Sequence, residues 1–303
     1  MGSRARIVLY APSPDEARTA ARAAFDEIEA LEQSLSDYRA TSEVSALRTL
    51  PPGQPARVSI ELARAIDRSL AISRRTDGAF DITIGPVVAL WRAAQTTGQL
   101  PDDAARRLAL TAVGWHKLRF DADRREVVLA APGMQLDFGG IGKGMACDVA
   151  LDTIAARGVD RALVEVGGDL AVADPPPGRE GWRIAAGPAR SIELRNAAIA
   201  SSGSTERFME IDGVRYSHIV DPRTGIGVDP GLLVVVVADD GATADALASA
   251  MCVVGIDRID ALLAEFPGSF GLVHLAGDPP RPVGDQRRAR RFDSATGERS
   301  TVP

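Results

Sequence analysis

Apolar side chains first recur at helical spacing at Ala21, Ala24, Phe25, Ile28, Leu31 and Leu35. That period predicts one long amphipathic helix reaching about residue 34. Ser13-Pro14-Asp15-Glu16 opens it with the residue types that favour a helix N-terminus. A short strand is predicted before it, over 7–10, and the polar stretch 36–45 reads as a loop. Ser59 reads as the N-cap of a second helix through Leu62, Ile66 and Leu70, ending near Thr76-Asp77-Gly78. Pro86 begins a shorter helical segment that carries Leu90 and Trp91. Segments 127–129 and 134–138, joined by Pro132-Gly133, predict a hairpin. Glycine-rich 139–144 then leads into a helix to about residue 157. Further strands are expected over 162–166, 182–186, 198–201, 215–219, 231–238 and 271–275, and further helices over 244–254 and 256–265. Helices and largely antiparallel strands mix without a regular β-α-β alternation, so the fold class is α+β. No internal repeat is present. Residues 1–292 read as one domain, and polar 293–303 as a disordered tail.

Composition narrows the function. With 45% apolar and 25% charged residues, the 303-residue chain has an ordinary globular balance and ample length for a core. A net charge of −6 argues against a general nucleic-acid binder, whose affinity rests on Lys and Arg neutralising phosphates. A nucleotide substrate stays compatible with it, because a bound cation supplies local positive charge. The two cysteines, Cys147 and Cys252, stand apart in apolar contexts and read as core residues. Neither a disulfide framework nor a zinc site is expected. No run of about 18 apolar residues occurs, so no transmembrane helix is expected. Met1-Gly2-Ser3-Arg4 lacks the apolar region of a signal peptide, which leaves a cytosolic protein or an export segment upstream.

Candidate chemistry concentrates in Ser217-His218-Ile219-Val220-Asp221-Pro222-Arg223-Thr224-Gly225 and, some twenty residues on, Thr243-Ala244-Asp245-Ala246-Leu247-Ala248-Ser249. The i, i+4 spacing puts Asp245 and Ser249 side by side on one helix face. Two oxygens so placed suit a hard cation such as Mg²⁺, whose shell is completed by phosphates and water. Asp137-Phe138-Gly139-Gly140-Ile141-Gly142-Lys143-Gly144 follows an expected strand and opens a helix, where an anion is favoured and Lys143 can meet a phosphate. It is not a Walker A loop: Asp137 stands where Gly is needed, and Gly144 replaces Ser or Thr. Taken alone it reads equally as a tight turn with a solvated lysine.

In Gly78-Ala79-Phe80-Asp81, Phe80 reads first as a core residue, and Asp81 needs a partner if buried. Val166-Gly167-Gly168-Asp169 marks either a close backbone approach or a simple turn. His116 and His274 sit in strand-like apolar contexts and read as structural. His218, among Tyr216, Ser217, Asp221 and Arg223, is the candidate imidazole acid or base. No G-x-S-x-G elbow is present, which argues against a serine-hydrolase triad.

The order of these segments, with Met1-Gly2-Ser3, Ser36-Asp37-Tyr38 and Ser42-Glu43-Val44-Ser45 ahead of them, resembles the ApbE family over roughly residues 1 to 275. That resemblance implies a compact, T-fold-related α+β catalytic domain. It also implies Mg²⁺-dependent transfer of FMN from FAD to a Thr or Ser hydroxyl of a flavoprotein, with release of AMP. Met1, Tyr38, Ala79, Phe80, Asp81, Asp137, Lys143 and Ile219 would then be FAD contacts. Asp245 and Ser249 would hold the cation by their side chains and Gly140 by its carbonyl, with Ala248 at the same site. His218 resembles the family's proposed catalytic histidine. Members are usually exported, often as lipoproteins. Arg48 stands where many relatives carry Asn, a change that would tilt transfer toward FAD hydrolysis if the Asn sets flavin geometry. A pyrophosphatase giving FMN and AMP, and a non-catalytic FAD-binding protein, are the alternative readings.

Overall fold

The computed structural model describes residues 3–185, 190–203, 208–211, 213–228, 231–275, 278–285 and 292–294. Strand β1 (Ala5–Tyr10) leads into α1 (Pro14–Leu35), whose first turn is capped by the Ser13 hydroxyl accepting the Glu16 N–H. Short α2 (Glu43–Leu47) starts inside the stretch expected to be a loop, because the Ser42 hydroxyl caps it at the Ser45 N–H. Strand β2 (Pro55–Arg57) precedes α3 (Ile60–Arg75), capped by Ser59 as its sequence predicts. Helix α4 (Gly85–Thr97) follows, ending on left-handed Gly98, and α5 (Asp103–Thr111) is capped by Asp102.

The expected hairpin over 127–138 is not formed. Strand β3 (Leu118–Asp121) pairs instead with β4 (Glu126–Leu129), which also takes β2 on its other edge. The turn is set by the Asp121 carboxylate accepting the Arg124 N–H, with Arg125 left-handed at φ 53°. The alternating Met134, Leu136 and Phe138 are buried in the main core, yet their segment forms no ladder, only a bridge between Gln135 and Ile84 and the Asp137 N–H donating to the Ile82 carbonyl at 2.7 Å. Periodicity reported burial there, and burial did not need a ladder.

Helix α6 (Gly142–Ala155) leads to β5 (Arg161–Val166) and β6 (Asp169–Val172), joined at Gly167 and Gly168, both at positive φ. After these come β7 (Trp182–Ala185), β8 (Arg190–Leu194) and β9 (Ala197–Gly203). Hairpin β10 (Phe208–Ile211) and β11 (Val214–Ser217) precedes β12 (Leu232–Ala238), α7 (Gly241–Val254) and α8 (Ile259–Ala264). Strands β13 (Phe270–Leu275), β14 (Arg281–Gly284) and β15 (Phe292–Ser294) are the last elements among the described residues. Residues 292–294 thus pair with β8, while 295–303 of the expected tail lie outside the described residues.

The main sheet runs β1-β5-β6-β9-β12-β13-β14, antiparallel at every pairing. Its interior strand β12 is buried on both faces. Leu232, Val234, Val236 and Ala238 join the large core beneath α1, α3, α6 and α7, while Val235 and Val237 join a second core under β7 and β8. A strand covered twice reads as an unbroken apolar run, which is why Leu-Leu-Val-Val-Val-Val-Ala was legible. Cys147 and Cys252 are both buried free thiols, as expected.

Candidate functional site

Helices α6 and α7 cross where each begins. A methyl on Gly144 would lie 2.0 Å from the Gly241 carbonyl oxygen, and one on Gly241 would lie 2.4 Å from that of Gly144. Only glycine permits this approach. Asp148 of α6 secures the crossing by accepting the N–H groups of Gly241 (2.6 Å) and Ala242 (2.9 Å). These are first-turn donors of α7 with no partner inside the helix. From the opposite side Arg68 pairs with Asp240, the N-cap of α7, and donates to Thr243 Oγ1 at 2.5 Å.

The crossing brings Asp245 to the start of α6. One of its oxygens accepts the Gly144 N–H at 3.2 Å and the other the Lys143 ammonium at 2.8 Å. Lys143 also donates to Asp169 at 2.6 Å, so one ammonium lies between two buried carboxylates. Burial opposes its charge, but Asp245 and Asp169 outweigh that and raise its pKa. Asp169, buried and repelled by Asp245, is pushed up to about 7 despite Lys143. One turn along α7, Ser249 Oγ lies 3.2 Å from Ser202 Oγ and 3.2 Å from where a Gly140 side chain would begin.

Of these residues, Gly140, Lys143, Ser202, Asp245 and Ser249 line a cleft of about 1110 Å³. Tyr38, Ala79, Phe80, Asp81, Asp137, Gly140, Lys143, His218, Ile219, Asp245 and Ser249 all line it. Eleven of the thirteen residues picked from sequence are therefore gathered in one place. Of the other two, Ala248 is wholly buried in the main core and absent from the cleft wall, because the helix face bearing Asp245 and Ser249 turns it inward. Met1 lies outside the described residues, although Ser3 lines the cleft.

Asp81 finds the partners that its burial demands: its carboxylate accepts the Thr83 N–H and hydroxyl and the Trp115 N–H, all within 2.8 Å. Burial still raises its pKa. His218 is exposed in the cleft, on a loop that α4 and α5 support. Trp91 donates its indole N–H to the Gly225 carbonyl at 2.9 Å, and Arg106 donates to that of Thr224 at 2.5 Å.

Several lining residues escaped the sequence reading. His274, read as structural, lines the cleft from β13. His116 sits away from it in a 3₁₀ turn, edge-on to Trp115. Ser201, Ser202 and Arg92 carry no motif that marks them, and only the fold brings them in. Arg48 is not on the wall; its guanidinium donates to the Asp37 carbonyl at 3.0 Å and so steadies the loop that carries Tyr38.

Among the described residues no group of three or more His, Cys, Asp or Glu side chains is arranged to hold an ion. The donors there are oxygens instead: the Asp245 carboxylate and, one turn on, the Ser249 hydroxyl, which lies against Gly140. An all-oxygen set with few protein ligands fits Mg²⁺ rather than zinc. The ammonium already lodged between Asp169 and Asp245 indicates that the spot favours positive charge.

Residues 1–272 match the model of the ApbE family. The chain belongs to that family. It is 32% identical over 291 residues to the FAD:protein FMN transferase of Treponema pallidum, covering 88% of this chain and 80% of that one. It is 30% identical over 244 residues to the enzyme of the same name from Vibrio cholerae, covering 76% and 72%. Among solved structures, the ApbE protein of Thermotoga maritima superposes with a TM-score of 0.83 at 30% identity, covering 95% of this chain and 96% of that one. The flavin transferase ApbE of Vibrio cholerae does so at 0.84 and 27%, with the same coverage. The α+β fold read from this ApbE-family sequence is thereby borne out. No helix among the described residues is long and apolar enough to cross a membrane.

Proposed function

We propose that this protein transfers the FMN part of FAD to a serine or threonine hydroxyl of an acceptor protein and releases AMP. The observation that carries the reading is the placing of Lys143, backed by Asp169, with Asp245 and Ser249 on the wall of a cleft large enough for a dinucleotide. Relatives named FAD:protein FMN transferase support it.

Asp245, Ser249 and the Gly140 carbonyl would hold a Mg²⁺ ion. When bound, such an ion draws charge from the anhydride oxygens and favours departure of AMP. Lys143 and the start of α6 supply fixed positive potential to the same phosphates. His218 takes the proton from the acceptor hydroxyl as its oxygen attacks the FMN phosphorus. The new P–O ester bond forms as the anhydride P–O bond to AMP breaks. Asp148, Arg68 and the glycine crossing keep the participating groups aligned, which is where most of the rate gain in phosphoryl transfer arises.

The test is incubation of the protein with FAD, Mg²⁺ and a flavoprotein domain presenting an exposed threonine or serine. Flavin fluorescence should stay with the acceptor through a denaturing gel, with AMP released in equal amount. AMP release that is just as fast without acceptor would favour the pyrophosphatase instead, and no AMP at all would favour a binding protein.

A further inference from the structure

One guanidinium organises a stretch of the cleft wall formed by α4. Val88, Trp91, Arg92 and Gln95 fall at i, i+3, i+4 and i+7 of α4, one helix face, and all four line the cleft. Arg92 pairs with Asp37 and donates to Asp137 at 3.0 Å. Its guanidinium carbon also lies 4.2 Å from the centroid of the Tyr38 ring. Two segments distant in sequence, Asp37-Tyr38 and Asp137, are thus tied to one side chain. Both terminal nitrogens of this fork are engaged, one by Asp37 and the other by Asp137. The phosphate-binding groups lie at Lys143 and the start of α6.

The wall that Arg92 holds suits a flat ring. Tyr38 is 74% exposed, so Arg92 covers one face and leaves most of the ring accessible for stacking. Asp137 spends one oxygen on the Gly139 N–H at 2.7 Å and the other on Arg92, and each oxygen keeps a second lone pair. A ring edge carrying an N–H donor can meet that lone pair. Burial and the neighbouring Asp37 carboxylate push Asp137 toward its neutral form, and Gly139 and Arg92 oppose them. Without the fork, Asp37 and Asp137 would repel each other and Tyr38 would lose its backing.

We propose that Arg92 is the positioning residue for a heteroaromatic ring of the dinucleotide, holding the Tyr38 face and the Asp137 carboxylate as one platform. The assignment rests on FAD being the substrate. Both ends of FAD present a ring with an N–H donor, the isoalloxazine and the adenine, and the ligand series distinguishes them.

The experiment measures binding of riboflavin, adenosine and inorganic pyrophosphate to the full-length protein and to Arg92→Gln and Arg92→Lys, by calorimetry. Arg92→Gln is expected to weaken one of the two ring ligands about tenfold, the effect of losing a charge-assisted hydrogen bond. Pyrophosphate binding should stay unchanged, and Arg92→Lys, a point charge without the fork, should fall between. In turnover the KM for FAD should rise with kcat within about twofold, since the platform acts on ground and transition states alike. If Arg92→Gln folds poorly, Asp37→Asn loosens the same fork from outside the cleft and should weaken the same ring ligand. Loss of riboflavin affinity puts the flavin on this wall, and loss of adenosine affinity puts the adenine there. Unchanged affinity for both, or an equal loss for pyrophosphate, overturns the proposal. Failure of the transferase reading would register separately, as absence of AMP release by the unaltered protein.

Discussion

Gly144 and Gly241 stand back to back at the crossing of α6 and α7, each in the space that a side chain on the other would need. Because both lie in the first turn of their helices, their contact sets the distance between Lys143 and Asp245. This stretch of the cleft wall is therefore fixed by backbone, not by side-chain packing.

Gly144→Ala should accordingly damage both fold and site. A methyl 2.0 Å from a carbonyl oxygen cannot be accommodated without separating the helices. Overpacking of this kind costs about 3 kcal/mol, which denaturant unfolding would register as a lower midpoint. AMP release should fall further than the loss of folded protein explains, since Asp245 also loses the Gly144 N–H. Wild-type stability in this variant would contradict the account of the crossing.

Asp148 makes stability depend on pH in a stated direction. Burial, against the opposing Ala242 and Gly241 N–H bonds, raises its pKa from an ordinary 3.8 to about 6. Between those values the folded protein holds this proton more tightly than the unfolded chain, so stability falls as pH rises through about 4 to 6. The full effect is at most about 3 kcal/mol. Asp148→Asn has nothing to titrate there. Wild type should lose stability relative to the variant from pH 4 to pH 7, and a flat difference across that window would disprove the assignment.

How far the sequence was readable follows from which signals are local. Ser13 and Ser59 cap the helices that they announce, and β12 shows its double burial as an apolar run. Helix α5 has no fully buried residue, only Ala109 and Leu110 packing against a small core, and Asp102 caps it. The Asp245–Ser249 pair was legible because four residues make a turn of one helix. Ser202, Asp148 and Arg92 act only across long loops, where no spacing encodes the contact. Ala248, which only the family resemblance placed at the site, has its side chain buried in the main core.

Asp245→Asn should separate chemistry from folding. The amide is isosteric and can still accept from Gly144 or Lys143, and Lys143 keeps Asp169 as its counter-ion. The melting temperature should move little. Cation-dependent AMP release should fall at least about 100-fold, the usual result of removing one electrostatic contribution at a phosphoryl or acyl centre. Retention of activity would show that the cation is held elsewhere.

Lys143→Met probes the same spot from the opposite sign of charge. Asp169 and Asp245 would lose the ammonium that lies 2.6 and 2.8 Å from them, leaving two buried carboxylates facing each other. Removing one partner from a buried ion pair costs about 3–5 kcal/mol, so the variant should melt well below wild type in a chelating buffer. Mg²⁺ should then restore much of the loss, because a ligand at about 100 times its Kd contributes about 2.7 kcal/mol to the folded state. In wild type the gain should be smaller, since Lys143 already competes for Asp245. A Mg²⁺-induced rise in melting temperature that is larger in Lys143→Met than in wild type, and abolished by adding Asp245→Asn, is the expected pattern. An equal rise in all three proteins would mean that the ion stabilises the fold from some other place.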